Sequence, residues 1–308
     1  MTFLILLVKG FIMGVAFIIP GVSGGTLAVY LGIYQKLIEA ISNIFKDFKN
    51  SIKFLFPIFL GIAISVVSLA KLFSILLNWN SVIILFFFIG LIAGGVRHIY
   101  NKAEGQELNS RKIIAFIIAF FVLLVIIILE KVNTGSGIAY FDMKFGTYVL
   151  LVILGILASI TMIVPGISGS AVLLVLGFYT AIVSNVVGNI FDFSNLVYNL
   201  QVIIPFAVGA IIGVVLFSKL VEKLLRKYPK ETYFAILGFI IASIIGVFLE
   251  IKDPATAASF DQQIPIYKDL LNFISDSIWS VAGGLIALGF GYFGSRFLIK
   301  HEGDKANG

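Results

Sequence analysis

The 308 residues contain no cysteine and two histidines, and only 12% of them are charged. Without cysteine, the chain cannot form disulfides or use thiolate chemistry. His98 and His301 stand in polar segments without an acidic partner at the spacing of a metal site. A soluble domain carries about 25% charged residues, so the low charge argues against that class. We expect neither a metal nor another cofactor.

Acidic residues are also missing from the middle of every long apolar run. Glu130 and Glu250 stand at the ends of such runs, where interfacial charges are common. General acid–base catalysis needs positioned titratable groups, so the sequence favours a protein that is not an enzyme, with no catalytic residues. The net charge of +6 comes from basic residues in short connections, a distribution that argues against a nucleic-acid partner.

What remains is apolar: 60% of the residues are hydrophobic and the mean hydropathy is +1.09. Apolar runs of about 17 to 22 residues recur along the chain, which indicates an all-α polytopic membrane protein. The first segment lacks the basic start and the cleavage site of a signal peptide. We expect residues 35–53 to be a polar loop and residues 253–276 the longest polar connection. Full spans are expected at residues 54–77, 82–96, 113–129, 202–220, 233–249 and 278–298.

Two apolar runs are broken by the same motif. Pro20-Gly21-Val22-Ser23-Gly24-Gly25-Thr26 recurs 145 residues later as Pro165-Gly166-Ile167-Ser168-Gly169-Ser170-Ala171. Proline and glycine interrupt a helix, and the small residues that follow leave backbone N–H groups uncovered before the next helix begins. Such a helix start attracts anions. At membrane depth it must be buried in protein or line a wet cavity.

The similarity between the two halves extends beyond the motif. Pro57, Gly61 and Lys71 match Pro205, Gly209 and Lys219 at an offset of 148. We therefore interpret the single transmembrane domain as two repeats, residues 1–131 and 144–300, on the argument used for internal repeats. Each repeat contains one hairpin, at about residues 3–36 and 147–187, and three transmembrane helices.

The basic residues predict how the repeats cross the membrane. If both hairpins enter and leave on one face, one side of the membrane receives 16 Lys and Arg residues and the other side 5. The positive-inside rule places the richer side, with both termini, in the cytoplasm, so the repeats have opposite orientations. Residues 25–35 make only about 16 Å of helix, half of a 30 Å core, which favours re-entrant hairpins over two full crossings.

Two hairpin tips that approach from opposite faces would present hydroxyl and backbone donors to an oxyanion. The predicted phosphate-binding residues are Ser23, Gly24, Gly25, Thr26, Ser168, Gly169 and Ser170. The alternative is that these small residues only allow close helix packing.

Three further residues are weaker candidates. Lys9 either reaches the interface by snorkelling or attracts an anionic headgroup. Arg97 either determines the membrane topology or, like Lys9, attracts an anionic headgroup. Tyr30 is an interfacial anchor or contacts phosphate.

These residues also carry a family resemblance. The segment GFIMGVAFIIPGVSGGTLAVYLGIY (residues 10–34) resembles the signature of the bacterial polyprenyl-phosphate transporter family, formerly a domain of unknown function, and VPGISGS (residues 164–170) resembles its second copy. The likeness covers essentially the whole chain. Family members often carry Asn where this chain has Phe17.

The resemblance implies a flippase that returns undecaprenyl phosphate from the outer to the inner leaflet of the bacterial plasma membrane, for reuse in cell-wall polymer synthesis. Its partners would be the polyprenyl phosphate lipid and the bilayer, and a homo-oligomer stays open. One rival is a channel or exchanger for small soluble anions, which broken helices also suit. Another is a membrane-embedded phosphatase or lipid transferase, which the missing acid–base residues disfavour.

The charge distribution makes a testable prediction about topology. In this cysteine-free chain, single cysteines at Asn43 and Asn109 should react with an impermeant maleimide only from the cytoplasm, and those at Asn195 and Gln262 only from outside. Reaction of the Asn43 and Asn195 variants from the same side would contradict the opposite orientation of the repeats.

Overall fold

The computed structural model describes residues 2–19, 21–103, 109–132, 138–166, 169–187 and 193–306. These residues form eleven α-helices, a π-helical segment (Thr180–Val187) and three 3₁₀ turns. The α-helices are α1 (Phe3–Ile18), α2 (Gly24–Tyr30), α3 (Tyr34–Ser42), α4 (Phe48–Lys102), α5 (Ser110–Val132), α6 (Phe145–Ile163), α7 (Gly169–Val175), α8 (Leu196–Lys227), α9 (Pro229–Leu249), α10 (Leu270–Asp276) and α11 (Ile278–Ala306).

Five of the described helices, namely α4, α5, α8, α9 and α11, are long and apolar enough to cross a membrane. Their outward faces carry large apolar side chains. On α11, Trp279, Phe290 and Phe293 are 87%, 71% and 68% exposed. Such faces suit lipid chains, so the prediction of an all-helical membrane protein is confirmed.

Helix α4 is a hairpin of two arms, residues 48–79 and 81–102. The backbone leaves the helical region at Asn80, and the rings of Phe73 and Phe88 lie 6.3 Å apart. Fifteen residues of straight helix would separate those rings by about 22 Å. Asn80 starts the second arm by accepting a hydrogen bond from the Ile83 amide (3.2 Å). The predicted spans 54–77 and 82–96 fall on these two arms.

The chain also folds back between α1 and α2. The Lys9 ammonium donates to the Leu31 carbonyl (2.7 Å), although the residues are 22 positions apart. Both helix breaks begin with a glycine at positive φ, Gly21 (75°) and Gly166 (93°). Only glycine adopts that conformation without strain.

Helices α2 and α7 end in the same turn. Gly32 and Gly177, again 145 residues apart, have φ of 66° and 79°. The next amide reaches back five residues in each case, from Ile33 to Ala28 (3.1 Å) and from Phe178 to Leu173 (2.8 Å). This is the Schellman arrangement, which satisfies carbonyls at a helix C-terminus.

Close contacts between glycines and backbone join α1 to the first arm of α4 and α6 to α8. A Cβ on Gly10 would stand 2.1 Å from the Ile58 carbonyl oxygen, and one on Gly155 would stand 2.1 Å from that of Phe206. These pairs match at the offsets of 145 and 148. The matching contact one turn further along is reversed in composition. Gly14 faces Ser65 in the first half, and Ser159 faces Gly213 in the second.

The last helix of each half packs against the other half. Helix α5 lies on α9, where a Cβ on Gly238 would be 2.4 Å from the Phe116 carbonyl oxygen. Helix α11 lies on the second arm of α4, where a Cβ on Gly90 would be 2.0 Å from the Leu288 carbonyl oxygen.

The helix ends gather at two faces. At face A, which we define by α3, the start of α5 and residues 222–234, Arg226 approaches Glu39 (3.8 Å), and the ring of Tyr100 lies 6.1 Å from that of Phe234.

Face B consists of the α4 bend and residues 130–132, 138–144, 177–185 and 250–263. There the Phe260 amide donates to the Asn78 side chain (2.7 Å), and the Ser81 hydroxyl donates to the Lys252 carbonyl (2.7 Å).

The prediction of a polar loop at residues 35–53 was wrong. Helix α3 occupies its first part, and α4 begins at Phe48. The charged residues in the segment concealed an amphipathic pattern: Leu37, Ile38 and Ile41 are buried and lie on one side of a helix.

The close contact at Gly209 can be tested by adding one methyl group. Its Cβ would stand 2.0 Å from the Val152 carbonyl oxygen, whereas a Cβ on Gly289 would meet nothing within 4 Å. Gly209→Ala should destabilise the protein by about 1–3 kcal/mol, because α6 and α8 must separate. Gly289→Ala is the matched control and should leave the thermal midpoint in detergent unchanged. Equal midpoints for both variants would contradict the packing described.

Candidate functional site

A cavity of about 770 Å³ lies beside the first helix break and extends to face B. Its walls come from both halves of the chain. The first half contributes residues 16–19 and 21–25 and one side of α5, from Leu123 to Glu130. The second half contributes parts of α6, α7, α8 and α9, with Tyr179 and Val183. Along α5 the lined stretch is about 10 Å long at 1.5 Å per residue.

The two helix breaks meet at the cavity. A Cβ on Gly25 would stand 3.3 Å from the Pro165 Cα, and one on Gly24 would stand 2.8 Å from the Phe17 ring. Phe17 is half exposed and forms part of the wall. Gly166 approaches the Phe239 carbonyl oxygen, near the middle of α9.

The first break lies at a different depth along α9 from the second. Gly21 approaches Val247, eight residues beyond Phe239, which is about 12 Å along a helix. Because α9 ends at Leu249, the first break reaches almost to the face-B end of that helix. The two hairpins therefore pass each other side by side.

Donors and acceptors in the wall belong to the breaks and to nearby helices. The Ser23 side chain makes no capping hydrogen bond to α2, and the first amides of any helix lack intrahelical acceptors. The amides of Gly24 and Gly25 are the first in α2, so they lack an acceptor within that helix.

Three other hydroxyls in the wall already donate to their own helices: Ser159 to Ile156 (2.7 Å), Thr161 to Ala158 (2.6 Å) and Ser243 to Ile240 (2.8 Å). Sequence reasoning missed these three. A hydroxyl within an otherwise apolar run was the available signal.

Charged residues line the cavity where it reaches face B. Glu130, Glu250, Lys252 and Asp261 are there, and Glu250 forms an ion pair with Lys131. The Lys252 ammonium donates to the Phe260 carbonyl (2.9 Å) and stands 4.4 Å from the centre of that ring. Partial burial lowers the pKa of Lys252, while Asp261 and Glu250 oppose the shift. Sequence reasoning placed both glutamates at span ends but did not connect them to a cavity.

The family model VCA0040-like, described as undecaprenyl phosphate translocase-like, matches residues 13–262. The chain belongs to this family. It is 35% identical over 248 residues to a polyprenyl-phosphate transporter of Staphylococcus aureus, covering 79% of this chain and 85% of that protein. It is 31% identical over 258 residues to a polyprenyl-phosphate transporter of Vibrio cholerae, covering 79% and 77%. No solved structure matches.

Family membership confirms the resemblance, and the structure shows where the predicted phosphate-binding residues lie. Ser23, Gly24 and Gly25 line the cavity. Thr26 does not. It is 1% exposed, and its hydroxyl has no hydrogen-bond partner among the described residues. Ser168 lies outside the described residues, and of Gly169 and Ser170 only the backbone at the start of α7 is described. Their roles stay predictions.

The three weaker candidates lie away from the cavity. The Tyr30 hydroxyl donates to the Ile92 carbonyl (2.6 Å), and its ring packs against Gly95. Arg97 is exposed. Lys9 is only 7% exposed, and its ammonium stands at the C-terminal end of α2, where a cation stabilises a helix. This position differs from both predicted alternatives, and attraction of a headgroup by these residues stays a prediction.

The position of Lys9 suggests that it stabilises the hairpin. Lys9→Ala should lower the free energy of unfolding by about 1.5–3 kcal/mol, because a charge-assisted hydrogen bond is lost. Lys9→Arg should retain part of this stabilisation. The exposed Lys49 provides the control variant, Lys49→Ala. Thermal midpoints in detergent and transport rates should be measured together. Full stability of Lys9→Ala with impaired transport would instead support headgroup attraction.

Proposed function

We propose that this protein transports polyprenyl phosphate, with undecaprenyl phosphate as the natural lipid, from the outer to the inner leaflet. The observation that carries the proposal is the cavity, which joins both helix breaks and extends to face B, with no face-A residue in its described lining. The relatives named polyprenyl-phosphate transporters support the choice of substrate. A channel for soluble anions would need a path to the second face, and within the part of the chain that the structure describes the cavity lining includes no residue of face A.

The phosphate needs donors because a charged group without water is costly in the hydrocarbon core. The Ser23 hydroxyl and the amides of Gly24 and Gly25 supply them from the first break. By the repeat, Ser168, Gly169 and Ser170 supply them from the second, with Thr26 behind the first. Because Gly25 and Pro165 are in contact, one headgroup can reach both sets.

The isoprenoid tail suits the apolar part of the same wall. Ile18, Leu123, Ile126 and Leu174 face the cavity together with the half-exposed ring of Phe17. These side chains can contact the first isoprene units while the remaining tail stays in the bilayer. The substrate therefore needs no fully enclosed tunnel.

The two halves act as inverted repeats, each with a re-entrant hairpin and three transmembrane helices. The matching glycines at positive φ and the matching contacts at Gly10 and Gly155 support this reading. Face A lies in the cytoplasm with both termini, and face B lies outside, so this conformation opens outward. Rocking of one half against the other would expose the same site to the cytoplasm.

A proteoliposome assay tests the substrate. A fluorescent short-chain polyprenyl phosphate in the outer leaflet should become protected from an impermeant quencher only when the protein is present. The corresponding polyprenol, which has no phosphate, should not compete for transport. Uptake of inorganic phosphate or chloride without movement of the lipid would refute the proposal in favour of a soluble-anion transporter.

The shared phosphate site makes a sharper prediction. Ser23→Ala and Ser168→Ala should each weaken binding of polyprenyl phosphate by about 10- to 150-fold, the equivalent of one hydrogen bond to a charged group. Their effects should be coupled, because both serines bind one headgroup. Ser68→Ala is the control, because the Ser68 hydroxyl donates to the Ile64 carbonyl in its own helix (2.6 Å). Unchanged affinity in a folded double variant would leave the motifs as packing elements.

A further inference from the structure

A side-chain hydrogen bond joins the two hairpins on the face-A side of the breaks. The Tyr34 hydroxyl, from the first residue of α3, donates to the carbonyl of Ile163, the last residue of α6 (2.9 Å). Tyr34 is 5% exposed and Ile163 2%. Carbonyls in the last turn of a helix have no partner within that helix, so this bond satisfies a buried acceptor and ties the first half to the second.

The repeat assigns a counterpart to each partner of this bond. At the offset of 145 that relates the two motifs, Tyr34 corresponds to Tyr179, and Ile163 corresponds to Ile18, the last residue of α1. Both counterparts line the open cavity. The chain is therefore closed where the first pair meets and open where the second pair would meet.

Neighbouring residues show the same difference between the two sides. Ile38 and Ile58 are buried, at 1% and 0% exposure. Their counterparts Val183 and Phe206 line the cavity. The difference between the two sides therefore extends beyond the tyrosine pair, of which the tyrosine hydroxyl is the polar part.

We propose that Tyr34 and Tyr179 are alternating latches. The Tyr34 bond to Ile163 holds the face-A side closed in the present conformation. When the two halves exchange conformations, this bond breaks and the Tyr179 hydroxyl donates to the Ile18 carbonyl, which closes the cavity at face B. The inference rests on the proposed alternation of inverted halves.

The test measures the two conformations without any lipid phosphate. Single cysteines replace Ala210, which lines the cavity, and Ile62, its counterpart at the offset of 148. An impermeant maleimide is applied on the face-B side for Ala210→Cys and on the face-A side for Ile62→Cys. The ratio of the Ile62→Cys rate to the Ala210→Cys rate reports how far the equilibrium lies toward opening at face A.

Removing one hydroxyl should move this ratio in opposite directions. Tyr34→Phe should raise it by about 2- to 12-fold, and Tyr179→Phe should lower it by a similar factor, as expected for one neutral hydrogen bond. The double variant should return near the parent ratio. Tyr198→Phe is the matched control, because its hydroxyl accepts a hydrogen bond from the Phe141 amide within the second half (2.8 Å), and the ratio should not change.

An unchanged ratio in both single variants, or a change in the same direction in both, would overturn the latch proposal. The labelling result is independent of the substrate. Opposite shifts in a protein that does not move polyprenyl phosphate would keep the latch and refute the proposed substrate. Transport of that lipid without opposite shifts would support the proposed substrate and refute the latch.

Discussion

A backbone polar group inside a membrane has no water to bind, and two broken helices leave several such groups without partners in their own helix. In this protein, side chains from elsewhere supply the missing donors. Lys9 donates to Leu31 and Tyr34 to Ile163, and each acceptor is a main-chain carbonyl at a helix end. These contacts from the surrounding helices stabilise the breaks, and residues of both breaks form part of the cavity wall.

Close packing supports the same arrangement. At the crossing of α1 with α4 and at that of α6 with α8, glycines allow one helix to approach the backbone of the other. The reversed pairs, Gly14 with Ser65 and Ser159 with Gly213, keep the same combined volume while exchanging sides. A larger residue at either glycine would require a smaller one opposite, so the two crossings share a geometry and not a sequence.

Some of this could be predicted from sequence, because it depends on local chemistry. Composition indicated a helical membrane protein, and the Pro-Gly pairs located both breaks. Contacts between distant residues could not be found that way. Periodicity does not show that Lys9 meets Leu31, or that Ser159 and Ser243 share a wall with Ser23. Helix α3 was missed because its charged residues outweighed three apolar ones in a short segment.

The packing of α11 against α4 has a consequence for biogenesis. Gly90 and Gly94 form a groove on α4 that receives the backbone of Leu288 and Tyr292. A ribosome completes that groove nearly two hundred residues before it synthesises the helix that fills it. Until then, the groove faces lipid or another membrane protein, and α9 is likewise made long after its neighbour α5. Neither half can therefore finish folding alone, and insertion of the final helix completes the tertiary structure of both at once.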